Sequence, residues 1–277
     1  MSSMELEAIR DGDLEGHRNG HSRPVGSRQR APGLGQLGVR VSVVIAAMNE
    51  AENLPHVFSR LPVGLHELIL VDGHSVDDTV AVARRLYPDV RILTQTGRGK
   101  GKALADGFAV CTGEIVVALD ADGSTDPAEI PRFVAALCHG ADFVKGSRFA
   151  QGGSSTDITP ARSVGNRVLN AFVNALYGTQ YTDLCYGYFA FWACCLPYMR
   201  VDCDGFEVET LINVRIAKAG LVVHEVPSDE HPRLHGASNL HAVRDGSRVL
   251  RTIVIERMST ASQRSLLPRI AYRLLAG

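Results

Sequence analysis

Apolar and polar positions along residues 39–138 fall into alternating blocks. VRVSVVIAA (39–47), ELILVD (67–72), VRILTQ (90–95) and EIVVALD (114–120) are β-branched runs with few polar interruptions, the pattern of strands buried on both faces of a parallel sheet. Between them lie polar turns and segments with helical spacing. One runs from Asn53 to about Arg60 and another from Thr79 to Leu86. A third follows the turn GRGKGK (97–102) and ends near Val110, and a fourth runs from Pro127 to Cys138. This alternation predicts an α/β fold, a mostly parallel sheet flanked by helices. Ligands of such sheets sit beyond the carboxyl ends of the strands. Polar residues gather there: Asn49 and Glu50, Asp72, and Asp120 with Asp122.

The pattern is less regular after residue 140. DFVKGSRFAQGGSS (142–155) reads as a strand and a mobile loop, 160–177 as an amphipathic helix, 205–220 as a helix stopped by Gly220, and LVVHEVP (221–227) as a last strand. Residues 1–38 are rich in Gly, Arg, Ser and His without apolar periodicity, and are expected to be a disordered extension. The main domain is therefore expected over 39–239. From Leu240 to Gly277 the chain reads as helical and basic, with seven arginines opposed by Asp245 and Glu256. Arg244, Arg248 and Arg251 share one helical face. Leu250, Ile253, Val254 and Met258 form an apolar stripe expected to pack on the domain, and Leu267, Ile270, Ala271 and Leu274 form a second, free to lie in the headgroup region of a membrane.

A net charge of −1 over 277 residues gives no field for nucleic acid. None of the six cysteines forms a C-x-x-C pair, so a zinc ribbon is not expected and reduced thiols in a cytoplasmic setting are. The longest nearly apolar run, Tyr186 to Met199, contains Gly187 and Pro197. It falls short of the roughly 20 residues that a spanning helix needs, so no transmembrane helix is expected.

Asp120-Ala121-Asp122 is the central candidate for chemistry. A D-x-D string is weak alone, since Asp11-Gly-Asp13 and Asp202-Cys-Asp204 also carry it. Asp120 and Asp122, however, close a buried strand and precede a glycine and a helix. Carboxylates so placed can hold Mg²⁺ or Mn²⁺ against a diphosphate, or form only a solvated turn with Asp126 capping the next helix. GRGKGK fails both the Walker and the G-x-G-x-x-G spacing, though a glycine turn with two lysines can still touch phosphate. His231 and His235 flank Pro232 and precede Gly236, which disfavours a metal-binding helix. Cys194-Cys195 reads as packing.

Taken in order, SVVIAAMNEAENL, VDGHSVDDT, GRGKGKAL, LDADGSTDP, KGSRF, YGYFAF, GFEVE and RLHGASNL resemble the inverting glycosyltransferases of family two with the GT-A fold, over about residues 40 to 257. Within that family they are most similar to polyprenyl- and dolichyl-phosphate sugar synthases. The resemblance implies a Rossmann-like GT-A domain that moves a sugar from a UDP- or GDP-sugar donor to a lipid phosphate at a membrane surface, with Mg²⁺ or Mn²⁺. It implies that Glu50 and Asp72 contact the nucleotide and that Asp120 and Asp122 hold the metal. Lys102, Ala121, Ser124, Arg233 and Asn239 complete the donor side. Arg148, Arg162 and Ser163 face the acceptor phosphate, and Asp122, Arg148 and Glu209 form the catalytic set. Three positions depart from the pattern: Gly73 follows Asp72 where a second Asp is common, Ser124 stands where Gln is common, and Asn239 stands at a Lys position.

A lipid monophosphate, whose second pKa lies near about 6, can attack an anomeric carbon without a strong protein base. Catalysis then reduces to positioning and charge neutralisation. A saccharide or small-molecule hydroxyl acceptor would instead need a base, for which Glu207 and Glu209 are available. A non-catalytic nucleotide-binding protein and a nucleotidyltransferase are the remaining alternatives on this fold.

Overall fold

The computed structural model describes residues 33–237 and 241–259. In chain order it comprises β1 (Val41–Ala47), α1 (Leu54–Ser59), β2 (Glu67–Asp72), α2 (Thr79–Leu86), β3 (Arg91–Thr94), α3 (Lys100–Phe108), β4 (Ile115–Asp120), α4 (Ile130–Cys138), β5 (Phe143–Ser147) and β6 (Ser154–Ser155). There follow α5 (Pro160–Tyr177), β7 (Phe189–Trp192), α6 (Leu196–Met199), α7 (Val208–Lys218), β8 (Val223–Pro227), β9 (Asp229–Glu230) and α8 (Ala242–Met258). Seven strands form one sheet in the order β3-β2-β1-β4-β7-β5-β8, and β6 pairs with β9 beside it.

The sheet is buried on both sides, as the apolar blocks predict. Alternate residues point to opposite faces. Val43, Ile45, Leu68, Leu70 and Val117 meet Leu54, Phe133 and Val134 of α1 and α4. Val44, Ile69, Val71 and Val116 meet Leu104 and Phe108 of α3 and Val208 and Ile212 of α7. Strand β7 is the exception to the parallel order. It lies antiparallel between β4 and β5, inside the run from Tyr186 to Met199 that showed no alternation. Both its faces are aromatic or apolar: Phe191 packs edge-on against Phe108 at 5.2 Å between centroids, and neighbouring Tyr188 stacks on Phe133 at 4.3 Å. The other buried strands are β-branched blocks bounded by polar turns, whereas FAFW holds no β-branched residue and runs on into the apolar ACCLPYM, so nothing in the sequence marks it as a strand.

Other boundaries shift for local reasons. A 3₁₀ turn at Leu34–Gln36 places Leu34, 1% exposed, in the core, so order begins before residue 39. Helix α3 starts at Lys100, inside the segment expected to be a turn. Helix α5 has the expected bounds: the Thr159 side chain accepts from the Arg162 N–H, Pro160 opens the first turn, and Gly178 ends it in the left-handed region. In α8 the apolar stripe is split. Val249 and Ile253 are buried, while Leu250, Val254 and Met258 are exposed. Residues 260–277, with the second stripe, lie outside the described residues, as does most of the N-terminal extension. Among the described residues no helix is long and apolar enough to cross a membrane.

Helix α3 crosses the sheet closely enough that a Cβ on Gly107 would lie 2.5 Å from Val44 Cγ1 and 3.0 Å from Val71 Cγ2. Overpacking there costs about 1–3 kcal/mol, against about 1 kcal/mol gained in helix propensity. Gly107→Ala is therefore expected to lower the melting temperature by a few degrees. A variant at least as stable as the parent in thermal denaturation would contradict this packing.

Candidate active site

The loops after β1, β2 and β4 meet at the carboxyl edge of the sheet and line a cavity of about 880 Å³. Two of these loops are stitched together. Asn49 and His74 sit at φ 59° and 64°, in the left-handed region that Asn tolerates better than most residues. The Asn49 N–H donates to Ser75 Oγ at 2.9 Å, the Asn49 side chain accepts from the Val76 N–H at 2.8 Å, and the Glu50 N–H donates to Thr79 Oγ1 at 2.8 Å. Glu50 is thereby fixed with its carboxylate accepting from Asn53 Nδ2 at 2.6 Å and from Arg233 Nη2. Burial pushes its pKa up, against the pull of Asn53 and Arg233.

Asp120 ends β4, and Asp122 follows in the turn. Asp122 accepts from the Ser124 N–H at 3.0 Å and faces Arg233 Nη1 at 3.4 Å. Gly123, at φ 78°, leaves room for Leu234, whose side chain would otherwise lie 2.7 Å from its Cβ. Residues 231–234 thus fold over the carboxylate turn, with the His231 N–H donating to the Ser124 carbonyl at 2.9 Å. On the other side Lys100 Nζ lies 2.6 Å from Asp120 Oδ1 and 2.6 Å from Glu209 Oε1. Gly187 makes the approach feasible, because a Cβ there would meet Lys100 Nζ at 2.6 Å and Asp120 Oδ2 at 2.8 Å. Burial raises the Asp120 pKa to about 6; Lys100 pulls it down, while the nearby Asp122 and Glu209 charges push it up. Burial works against the Lys100 ammonium, but Asp120 and Glu209 more than offset it and hold the lysine charged.

Lys100 was not among the expected site residues, whereas Lys102 was. The first turn of α3 explains the exchange. Lys102 points away from the cavity lining and pairs with Asp106 at 2.8 Å. The glycines of GRGKGK serve packing: a Cβ on Gly99 would strike the Asp204 carbonyl at 2.1 Å, and one on Gly101 the Cys203 carbonyl at 2.2 Å. This close approach seats Lys100 beside Asp120. The only signal in the sequence was the motif itself, which does not say which of its lysines faces inward.

No group of three or more His, Cys, Asp or Glu side chains placed to hold a metal occurs among the described residues. Two carboxylates are nevertheless a fitting partial set for Mg²⁺ or Mn²⁺, which often take one or two protein carboxylates and complete their shell with substrate phosphate and water. The raised pKa of Asp120 fits as well, since an added cation would favour the ionised form against the burial, and the neighbouring Asp122 and Glu209 charges, that raise it.

Across the cavity, Arg148 donates from Nε at 2.7 Å and Nη2 at 2.9 Å to Asp183, and from Nη1 at 2.9 Å to Glu230. Its guanidinium also lies over the Tyr186 ring at 5.0 Å. With 3% of its side chain exposed, it is a structural clamp at the cavity wall, and the expected direct phosphate contact is not how its donors are used. Asp183 is held from α5 as well. Asn166, Asn170 and Asn174, spaced one turn apart, donate to Asp183 Oδ1 at 3.0 Å, the Thr182 carbonyl at 2.6 Å and the Tyr181 carbonyl at 2.9 Å. Arg162, also in the lining, pairs with the partly exposed Asp157 at 3.2 Å.

Of the other expected residues, Glu50, Ala121, Ser124, Glu209 and Arg233 line the cavity, and Asp72, Ser163 and Glu207 do not. Asp72 accepts from the Ser75 N–H at 3.2 Å, within its own loop, and Gly73 and Gln95 take its place in the wall. Glu207 turns back to the Gly205 N–H at 3.4 Å. Asn239 lies outside the described residues.

Residues 42–195 match the family model described as glycosyl transferase family 2. The chain is 32% identical over 211 residues to glycosyltransferase AglJ of Haloferax volcanii, covering 74% of this chain and 68% of that one. It is 32% identical over 214 residues to polyprenol monophosphomannose synthase of Mycolicibacterium smegmatis, covering 73% and 81%. In fold it is similar to a crystal structure of glucosyl-3-phosphoglycerate synthase from Mycobacterium tuberculosis in complex with Mn²⁺, UDP and glucosyl-3-phosphoglycerate, with a TM-score of 0.64 at 24% identity, over 81% of this chain and 84% of that one.

Removing Arg148 would leave Asp183, whose side chain is fully buried, and the nearly buried Glu230 without their cation. Arg148→Ala is expected to cost about 3–5 kcal/mol of stability. Burial alone would raise the Asp183 pKa, but Arg148 holds it below the usual aspartate range. The contribution is therefore whole above about pH 4 and is lost as pH falls below that, when Asp183 takes up a proton in the fold. Urea titrations of both proteins at neutral pH check the assignment, and an Arg148→Ala variant as stable as the parent would remove it.

Proposed function

Because the chain belongs to glycosyl transferase family 2, we propose that it moves a sugar from a nucleoside-diphosphate donor to the phosphate of a polyprenyl lipid, with inversion at the anomeric carbon and with Mg²⁺ or Mn²⁺ on Asp120 and Asp122. The observation that carries the choice of acceptor is the Lys100 bridge. Of the two carboxylates expected to serve a hydroxyl acceptor as base, Glu209 lines the cavity and Glu207 does not, and Glu209 is bonded to Lys100 at 2.6 Å. It would have to release that ammonium before taking a proton. An acceptor that arrives already ionised avoids this, and a phosphate monoester does so at neutral pH, its second pKa being near about 6. The name of the Mycolicibacterium relative points to the same acceptor class.

In this reading the cavity divides its work. The donor diphosphate lies along the carboxyl ends of β1 and β4, between Lys100 and Arg233. Asp120 and Asp122 would hold a divalent cation there, which would supply charge neutralisation for the departing diphosphate. Arg233, which bridges Glu50 and Asp122, can turn its guanidinium from those carboxylates to the phosphates. Arg162 presents the acceptor phosphate, and the Arg148–Asp183 clamp with Asn166 keeps α5 in register. An acceptor oxygen forms the bond to the anomeric carbon as the bond to the diphosphate breaks on the opposite side, and no proton needs to move.

The test is a panel of UDP- and GDP-sugars with Mg²⁺ or Mn²⁺ and either a polyprenyl phosphate or 3-phosphoglycerate. Labelled lipid with release of nucleoside diphosphate is expected. Label on phosphoglycerate alone would move the acceptor to a small soluble phosphate, and release of pyrophosphate would make the protein a nucleotidyltransferase. In the same assay Asp122→Asn is expected to lose about a hundredfold or more in turnover with unchanged circular dichroism. A folded Asp122→Asn variant with near-parental turnover would take the metal away from this pair.

A further inference from the structure

Helices α5 and α8 pack together through Val173, Val249 and Ile253, with Tyr177 Oη donating to the Ile253 carbonyl at 2.7 Å. Their outward faces are unlike those of ordinary surface helices. Val164 and Val168 of α5 are 60% and 63% exposed, one turn apart, and Leu250 and Met258 of α8 are 46% and 77% exposed. Isolated exposed hydrophobics are commonplace, but these fall in stripes at helical spacing. The charges beside them have one sign. Helix α5 contains no Asp or Glu. Both acids of α8 face inward: Asp245 accepts from the His241 N–H at 2.8 Å, and Glu256 is held by Arg215 and Lys218 at 2.7 and 2.8 Å. Arg167 and Arg251, among the described residues, form no salt bridge. The first turns of both helices line the cavity mouth, through Ala161 and Arg162 on α5 and Arg244 on α8.

We propose that the outer face of the α5–α8 pair docks on an anionic phospholipid surface, with the valines and Leu250 entering the headgroup boundary and the arginines meeting lipid phosphates. Apolar residues flanked only by cations complement a negatively charged bilayer, whereas a second copy of this face would set arginine against arginine. The continuity of this face with the cavity mouth gives docking its purpose: the opening is held where a lipid-borne phosphate can enter. The proposal rests on the lipid-acceptor reading for that purpose, but not for the binding itself.

Co-sedimentation of the full chain with vesicles of phosphatidylcholine plus phosphatidylglycerol, and of phosphatidylcholine alone, tests it without any polyprenyl phosphate. Binding to the anionic vesicles is expected. The double variant Val164→Asp/Val168→Asp and, separately, Arg251→Glu are each expected to weaken it about tenfold or more, with nucleotide binding in solution retained as the check on folding. Equal vesicle binding by parent and variants would place the contact elsewhere and overturn the proposal. So would a parent that ignores vesicles and sediments as a dimer that Val168→Asp dissociates, which would make the face a subunit interface. Vesicle binding of the expected kind without transfer to any lipid phosphate would leave the docking face standing and remove only the acceptor reading.

Discussion

Negative charge gathered at the carboxyl ends of two buried strands has to be balanced inside a cavity, and the arrangement of the site follows from that constraint. Glu50, Asp120, Asp122 and Glu209 converge there, and Lys100 and Arg233 are the cations that answer them. Each cation bridges two carboxylates, so neither pair of acids faces the other uncompensated. The cost of placing an ammonium so deep is met by close backbone packing: Gly99, Gly101 and Gly187 remove the side chains that would otherwise keep Lys100 out.

The half built on β1 to β4 was largely legible in the sequence because its signals are local. Strands β1, β2, β3 and β4 are short β-branched blocks, and the polar residues that end them fall at the sheet edge by the geometry of the fold. The other half depends on pairings distant in sequence. Nothing near Arg148 says that Asp183 and Glu230 will consume its donors, and nothing near Asn166, Asn170 and Asn174 says that they will hold the backbone at 181–183. Strand β7 was hidden because it lacks β-branched residues and no polar turn separates it from the apolar segment that follows. Asp72 shows the limit of a local motif: it marks the loop, but the direction of the carboxylate is set by the fold, which turns it to the loop's own Ser75 N–H.

The two halves also differ in how they are held. Beside β1 and β2, loops are tied to loops, as between Asn49 and Ser75–Val76. Across the cavity, the buried ion pairs of Arg148 with Asp183 and Glu230 and a row of amides on one helix fix the wall. A wall built this way keeps its shape because a buried carboxylate cannot be left unpaired, while the outer face of the same helix is free to carry residues selected for another purpose.

The antiparallel insertion of β7 also bears on how the chain is made. Ile115 of β4 pairs with Trp192, so during synthesis β4 acquires its second neighbour only after β5 and the whole of α5 have followed it. Until then the nascent β3-β2-β1-β4 unit exposes a flat apolar strand edge, the kind of surface that templates association between chains. Closing that edge requires pairing across a long stretch of sequence, which is slow compared with the local βαβ steps before it. The strand that follows Gly187, beside the Asp120 carboxylate, is thus also the one that shields the exposed edge of β4.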